Sequence, residues 1–567
     1  MRTLQHEPCS GGHRRETSRL PLGLAFLVLA GGALAQPVQI PPGSDPAVIQ
    51  QREIERERRM RADELRRDRI EQPVRPTAPA EPAPAGADSM PFEVREIRVE
   101  PRSELLDAGA IDALVAGYRG RSLRLSDLRE LTARINELYR AKGIVTAQAV
   151  LPPQDVTDGT VRIRLVEGRV GQVRIQGNES TNEDYIRDRL TLKPPMLVDM
   201  GELEQDLVRF NRSNDAQLRA DLRPGSELGQ TDIQLQVQEP KRNELRLFVD
   251  NSGSTLTGEG RVGVAYMRRS LTGRRDDIYL SAVRSEGHEG NYLSYGVPVT
   301  RLGTRLTLGY FKDRTRVVNG PIAPLDVTGS AESISLSLRH PLRVQSRFQL
   351  DALASFKQRR TANWIVGTPL TASELSGGTV GLDLQVLGDN GYWTGTAELG
   401  SGIDRPDGAP ARHYTLLRGT LRRSLTWSPD LTLVGSLSWQ YAPLKLLPSS
   451  EQIVIGGEGS VRGHSLGLFS GDRGYVLNLE AHYRLALPPS SAAAGSAFVF
   501  LDHGVVRPFR PQLNPRGSDA LTAVGAGVNL TFGSTASARV TLSLPVGAPP
   551  EEPRNYRINA QLIWHLL

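Results

Sequence analysis

Residues Tyr475–Leu485 read YVLNLEAHYRL. Tyr475, Leu477, Leu479, Ala481, Tyr483 and Leu485 fall at every second position and alternate with Asn478, Glu480, His482 and Arg484. Successive side chains of an extended chain point to opposite faces, so this segment has one apolar face and one that carries full charges. The same period of two runs through the second half of the chain. Leu245, Leu247 and Val249 alternate with Glu244, Arg246 and Asp250; Leu431, Leu433, Leu437, Trp439 and Tyr441 alternate with Thr432, Ser436, Ser438 and Gln440. Tyr556, Ile558, Ala560, Leu562, Trp564 and Leu566 close the chain in the same rhythm. A soluble sandwich would end its strands sooner, whereas many of these run about ten residues or more, as a tilted membrane crossing requires. All five tryptophans (Trp364, Trp393, Trp427, Trp439 and Trp564) lie in this half, which suits interfacial girdles. Roughly sixteen strands are expected, enough to enclose water or a plug, so residues 240–567 read as a transmembrane β-barrel and the fold class as mostly β.

Working toward the N-terminus, residues 168–239 and 92–167 read as two small α/β domains. In the first of them, Leu128, Leu131, Ile135, Leu138 and Tyr139 fall at helical spacing after Ser126, a good N-cap, and Lys142-Gly143 ends the helix. Strands are expected at Phe92–Val99, Thr146–Leu151 and Thr160–Glu167, with an earlier helix at Ile111–Tyr118. The second domain repeats the plan: a strand at Val170–Gln176, a turn at Gly177-Asn178, helices at Glu183–Leu190 and Glu202–Asn211, and a strand pair around Pro224-Gly225 that ends on Thr231–Val237.

Residues 73–91 hold Pro73, Pro76, Pro79, Pro82 and Pro84 and read as a semi-extended linker. Residues 36–72 contain a charged helix over 45–72. Glu55 and Arg59, Glu57 and Arg61, and Asp63 and Arg67 stand at i,i+4 spacing, while Ile49, Ile54, Leu65 and Ile70 make no wide apolar stripe. Such a helix lives in water, either as a solvated arm or as a plug in a wet cavity. Residues 1–35 read as a secretory signal: Arg14, Arg15 and Arg19, then the apolar Leu20–Ala30, then Ala33-Leu34-Ala35 before Gln36.

The lone cysteine, Cys9, lies in that signal, so a processed chain would carry no disulfide and no thiol chemistry. The net charge is +6 over 567 residues, and the arginines are dispersed and often opposed by acids. No basic patch interleaved with aromatics points to nucleic acid. The histidines have no metal-ligand spacing, Gly457-Glu458-Gly459 lacks the rest of a nucleotide fingerprint, and no cofactor is expected. Gly463-His464-Ser465-Leu466-Gly467 matches a nucleophile elbow, but no helix can follow it, so no catalytic residue is assigned and the chain is not read as an enzyme.

Several stretches resemble the outer-membrane transporters of two-partner secretion, the haemolysin and filamentous-haemagglutinin exporters of the outer-membrane insertase superfamily. Tyr139-Arg140-Ala141-Lys142-Gly143, Leu151-Pro152-Pro153-Gln154, Gly159-Thr160-Val161 and Glu167-Gly168 are similar to a first POTRA domain. Asn211, Leu222-Arg223-Pro224-Gly225 and Gly229-Gln230-Thr231-Asp232 are similar to a second. Gly456-Gly457 through Val461-Arg462-Gly463-His464 resembles the tip of the sixth extracellular loop, and Phe500-Leu501-Asp502-His503-Gly504 the barrel-wall motif on strand thirteen. Residues 443–473 fall between strands eleven and twelve. The resemblance implies that the loop folds into the lumen and that Arg462 meets Asp502, with Phe500 and Gly504 beside it. Two positions depart from the family pattern: His464 replaces a tyrosine, and the chain ends on Leu567 rather than an aromatic residue.

The expectation is an outer-membrane pore with periplasmic N-terminal domains. It takes an unfolded secreted partner, a large β-rich exoprotein, adhesin or haemolysin, and passes it outward without nucleotide hydrolysis. The barrel would contact outer-membrane lipid. An outer-membrane assembly factor, a diffusion porin and a hydrolase remain as alternatives.

Overall fold

The computed structural model describes residues 41–67, 74–75, 90–144, 146–156, 158–227, 229–442, 446–488, 493–509, 517–547, 549, 551 and 554–567. The expected signal, residues 68–72 of the charged helix and most of the linker lie outside that set.

Helix α1, Pro46–Arg67, opens on Asp45, whose carboxylate accepts the Ala47 N–H at 2.8 Å, with Pro46 at the first helical position. In the linker, Val74–Arg75 forms a short strand, β1. The first α/β domain follows as β2 (Phe92–Val94), β3 (Glu96–Glu100), α2 (Ala108–Ala116), β4 (Arg121–Leu123), α3 (Leu125–Ala141), β5 (Ala147–Val150) and β6 (Thr160–Glu167). The order β3-β6-β5 makes its sheet. Leu128, Leu131, Ile135 and Tyr139 of α3 are buried with Ile97, Val161, Ile163 and Leu165. The expected cap at Ser126 is corrected: α3 begins one residue before it, and Asp127 closes the end by accepting the Arg124 N–H at 2.7 Å. A carboxylate at the third position does the work that a hydroxyl cap would have done.

The second domain comprises β7 (Arg169–Gln176), α4 (Glu183–Arg187), α5 (Met200–Ser213), β8 (Gln217–Pro224) and β9 (Gln230–Gln238). Asp199 caps α5 through the N–H groups of Gly201 and Glu202. Its sheet runs β1-β8-β9-β7: the linker strand pairs parallel to β8, Val74 against Ala220 and Arg75 against Asp221. The edge of β8 is therefore already occupied.

Sixteen strands close into a barrel in the order β10 through β20, then β23 through β27 and back to β10. They are β10 (Asn243–Asp250), β11 (Arg261–Arg269), β12 (Asp277–Arg284), β13 (His288–Pro298), β14 (Arg305–Arg316), β15 (Val327–Val344), β16 (Phe348–Ile365), β17 (Thr368–Gly388), β18 (Gly391–Pro406), β19 (Arg412–Thr426) and β20 (Leu431–Tyr441). Two short strands, β21 (Ile453–Ile455) and β22 (Phe469–Gly471), pair within the connection that follows. Then come β23 (Arg473–Arg484), β24 (Ala493–Arg507), β25 (Asp519–Phe532), β26 (Ala536–Val546) and β27 (Arg557–His565). Alternation sorts the faces: Leu336, Leu338, Phe356, Val380, Leu382, Leu399, Leu479 and Leu501 face outward, while Asp313, Arg359, Asp404 and Asp502 are buried on the inner face.

The second domain is fixed to the rim of the barrel. Asn182 donates its N–H to the Gly273 carbonyl at 2.8 Å, and the Ser270 hydroxyl donates to the Ser180 carbonyl at 2.7 Å. Gly273 has φ +84°, and a Cβ there would lie 2.2 Å from Asn182 Oδ1. Arg275 is fully buried and donates to Asp215 at 2.7 Å. Glu239 accepts the N–H groups of Ser180 and Thr181, each at 2.9 Å, and both their hydroxyls. Burial alone would raise the Glu239 pKa; the hydrogen bonds from Ser180 and Thr181 and the charge of Arg275 outweigh it and hold the carboxyl below its ordinary value.

A depressed carboxylate contributes stability that is present above its unfolded value of about 4.3 and lost as pH falls through the folded one. Glu239→Gln should weaken this joint by about 2 kcal/mol at neutral pH. Limited proteolysis should cut faster between the second domain and the barrel in the variant, and faster in wild type as pH drops below about 4, while the barrel stays resistant. Equal cutting of both proteins at pH 7 would contradict the assignment.

Candidate functional site

In the connection between β20 and β23, residues 446–472 turn back along the inner wall instead of projecting away. Val461 is fully buried with Ile455 against Val476, Val506, Leu521 and Ala523. Gly504 on β24 makes room: a Cβ there would lie 2.9 Å from Val461 Cγ2. Gly463, at φ +85°, turns the tip where a side chain would strain the backbone.

This packing delivers Arg462 to the wall. Its Nε and Nη2 donate to the two oxygens of Asp502 at 2.7 and 2.8 Å, and its backbone N–H donates to Asp502 Oδ2 at 3.1 Å. Arg462 is 3% exposed and Asp502 0%. The guanidinium carbon lies 3.6 Å from the centroid of Phe500, and Nη1 reaches Glu480 at 2.6 Å. A planar fork therefore meets one carboxylate in two parallel bonds, a second carboxylate at its far end and an aromatic face beneath. Asn478 fixes the acceptor, donating to Asp502 Oδ1 at 2.8 Å and to the Ser460 carbonyl at 2.7 Å. Residues 502 and 478 are ladder partners on β24 and β23, as are 500 and 480.

The structure thus brings Val461, Arg462, Phe500, Asp502 and Gly504 together. His464 is buried as well, and its Nε2 lies 3.0 Å from the Thr522 carbonyl on β25, a bond that ties the tip to the wall where the family pattern has tyrosine. Sequence reading did not single out Glu480, Asn478, Phe498 or Arg539. Arg539 lies 3.6 Å from Glu480, and its guanidinium carbon is 4.7 Å from the Phe498 centroid. The rings of Phe498 and Phe500 seat on Gly527 and Gly525 of β25, where a Cβ would lie 2.5 Å from each ring. The inward register of Asn478 and Glu480 was visible in their alternation; their partners were not.

Gly463–Gly467 lies in the loop, between β21 and β22, not at a strand-to-helix turn. The Ser465 hydroxyl accepts a hydrogen bond from Arg557 at 3.0 Å. Among the described residues there is no group of acidic, histidine or cysteine side chains that could hold a metal.

Helix α1 runs through the lumen beside the loop. Gln50 donates to Asp313 at 2.8 Å and accepts from Ser333 at 3.0 Å. Arg56 pairs with Asp250 at 2.8 Å, Glu53 with Arg261, and Glu57 with the hydroxyls of Tyr279 and Ser281. Arg52 donates to the Val454 carbonyl of the infolded loop. Glu57, expected to pair along the helix, is thus held by the wall; the side chains of Arg59 and Arg61 lie outside the described residues.

Removing one partner of a buried pair typically costs about 3–5 kcal/mol. Arg462→Ala should release the loop tip, read as chymotrypsin cleavage within residues 446–472, where Leu466, Leu468 and Phe469 offer sites. Arg462→Lys should release it in part, because a point charge keeps the attraction without the two-bond fork. Unchanged protection in Arg462→Ala would contradict the geometry.

A family model for the haemolysin secretion/activation proteins ShlB/FhaC/HecB matches residues 229–530, and one for the ShlB-type POTRA domain matches residues 92–168. The heme/hemopexin transporter protein HuxB of Haemophilus influenzae is 25% identical over 459 residues, 76% of this chain and 80% of its own length. The outer membrane transporter CdiB of Dickeya dadantii is 27% identical over 413 residues, 69% of this chain and 72% of its own. In solved structures, CdiB from Escherichia coli superposes with a TM-score of 0.65 at 22% identity, covering 92% of this chain and 98% of that one, a likeness of fold. The chain belongs to the ShlB/FhaC/HecB family, the outer-membrane transporters of two-partner secretion, with its POTRA domains in the periplasm.

Proposed function

We propose that this transporter takes its partner protein unfolded from the periplasm and passes it through the barrel lumen, without nucleotide hydrolysis. The single observation that carries the reading is a lumen lined by charge and occupied by two elements, the infolded loop and α1, of which α1 is held largely by ion pairs and hydrogen bonds. An extended chain could replace α1, because beyond its buried first turn (Ala47, Val48 and Ile49) the contacts of α1 with the wall are mainly ion pairs and hydrogen bonds that water or a polar client can substitute.

Docking would use strand addition. Main-chain hydrogen bonds at an open sheet edge hold an extended client with little demand on its sequence. The linker strand β1 covers β8, so in the two larger sheets the long edges open to a client are β3, β5 and β7 rather than β8. Relatives point to secreted cargo: the hemolysin transporter protein ShlB of Serratia marcescens is 24% identical over 401 residues. A client folding outside would bias movement outward. The Arg462 cluster would hold the loop against the wall, and α1 would occupy the resting lumen.

A second reading, an assembly factor that opens its barrel sideways, has one observation in its favour. The closing seam pairs over only five residues of β10, Arg246–Asp250, against β27.

Co-expression with the large secreted protein of a neighbouring gene tests the transport reading. Wild type should place that protein in the medium, and Arg462→Ala should lower its yield several-fold at equal barrel abundance; unchanged secretion would count against a role for the cluster. Deleting residues 45–67 should raise single-channel conductance in planar bilayers. Conductance equal to wild type would remove the plug from the account.

A further inference from the structure

Above the apolar band, the outer wall carries a belt of charge. On β14 the outward series runs Leu308, Tyr310, Lys312, Arg314 toward the cell exterior; on β16 it runs Phe356, Gln358, Arg360, and on β18 Leu399, Ser401, Ile403, Arg405. β12 adds Arg284. Three acids interrupt the belt, each with a partner: Glu289 with Arg284 at 3.1 Å, Glu374 with Arg360 at 2.7 Å, and Glu332 accepting from Tyr310 at 2.6 Å.

On the opposite side, among the described residues, β23 and β24 present no outward-facing acid at this level. The outward series on β23 runs Leu479, Leu477, Tyr475, Arg473, and on β24 Leu501, His503, Val505, Arg507. Arg473 and Arg507 are direct ladder partners. Like charges facing each other across a ladder are unfavourable, because their Cβ atoms are about 4.5–5.5 Å apart. Among the described residues neither guanidinium has a carboxylate partner, and Arg473 Nε is shielded from solvent with no hydrogen-bond partner. Two forked donors at facing ladder positions with no carboxylate partner, directly over an apolar wall, match an anion with several oxygens and an attached acyl body.

We propose that the belt binds phosphorylated glycolipid of the outer leaflet, with Arg473 and Arg507 gripping one of its phosphates. The phosphate would relieve the repulsion between the arginines, and the acyl chains would lie against Leu477, Leu479 and Leu501 below. Free phosphate satisfies the guanidinium groups but forgoes that wall, so the lipid is the favoured occupant. The inference rests on the outer-membrane placement of the barrel and is independent of how the client moves.

Purified full-length protein in a neutral detergent tests it by the temperature at which the barrel unfolds on semi-native gels. Lipopolysaccharide should raise that temperature by several degrees in wild type and in Arg347→Gln, whose side chain pairs with Asp389 at a periplasmic turn. The shift should be clearly smaller in R473Q/R507Q, which keeps the rest of the belt. Without lipid the double variant should unfold no lower than wild type, because a repulsion has been removed, so the smaller shift is not a folding defect. Phosphatase-treated lipopolysaccharide and inorganic phosphate should each give a smaller shift in wild type. The proposal is overturned by an undiminished shift in the double variant, by a full shift with dephosphorylated lipid (acyl contact only), or by a full shift with inorganic phosphate alone.

Discussion

In the hydrocarbon layer no water is available to a stray backbone N–H or C=O, so a sheet can cross it only by closing on itself. The hoop of sixteen strands meets that demand, and its consequences reach every other part of the chain. Closure sends alternate side chains into an interior that must be polar, because the exterior must be apolar. A polar bore then requires polar contents. That is why α1 can carry charge on all sides: Glu53, Arg56 and Glu57 find Arg261, Asp250, Tyr279 and Ser281 on the wall.

The infolded loop follows the same logic with tighter geometry. A buried guanidinium is tolerable only when its donors are matched, and Arg462 has Asp502, Glu480 and the Phe500 face around it. Glycines at 504, 525 and 527 let these bulky groups approach the strands. Arg52 of α1 also bonds to the loop at Val454, so helix and loop share a contact, and a client that displaced one would disturb the other.

Much of this was legible in the sequence, for a physical reason. Period two is imposed by a boundary between lipid and water, so Tyr475–Leu485 announced a barrel wall without any partner strand in view. The Arg462–Asp502 encounter was legible only through resemblance, since nothing local says that residues 40 positions apart will meet. Glu480 was visible as an inward residue but not as the second acceptor, because alternation assigns a face and leaves register open. The β1 pairing with β8 was hidden: two residues among prolines carry no period. The α3 cap was misread for a similar reason, since Ser126 and Asp127 are both capping residues and only tertiary context chooses between them.

The central claim is that the client passes along the lumen of a closed barrel rather than through a parted wall. The seam offers the most direct test. Val249 and Leu562 are ladder partners across it, and Cys9 is the only native cysteine, so a Val249→Cys/Leu562→Cys pair would form a defined cross-link. Secretion of the partner protein should be the same with the seam oxidised as with it reduced. Secretion that stops on oxidation and returns with reductant would show that the wall must open, and would contradict the account.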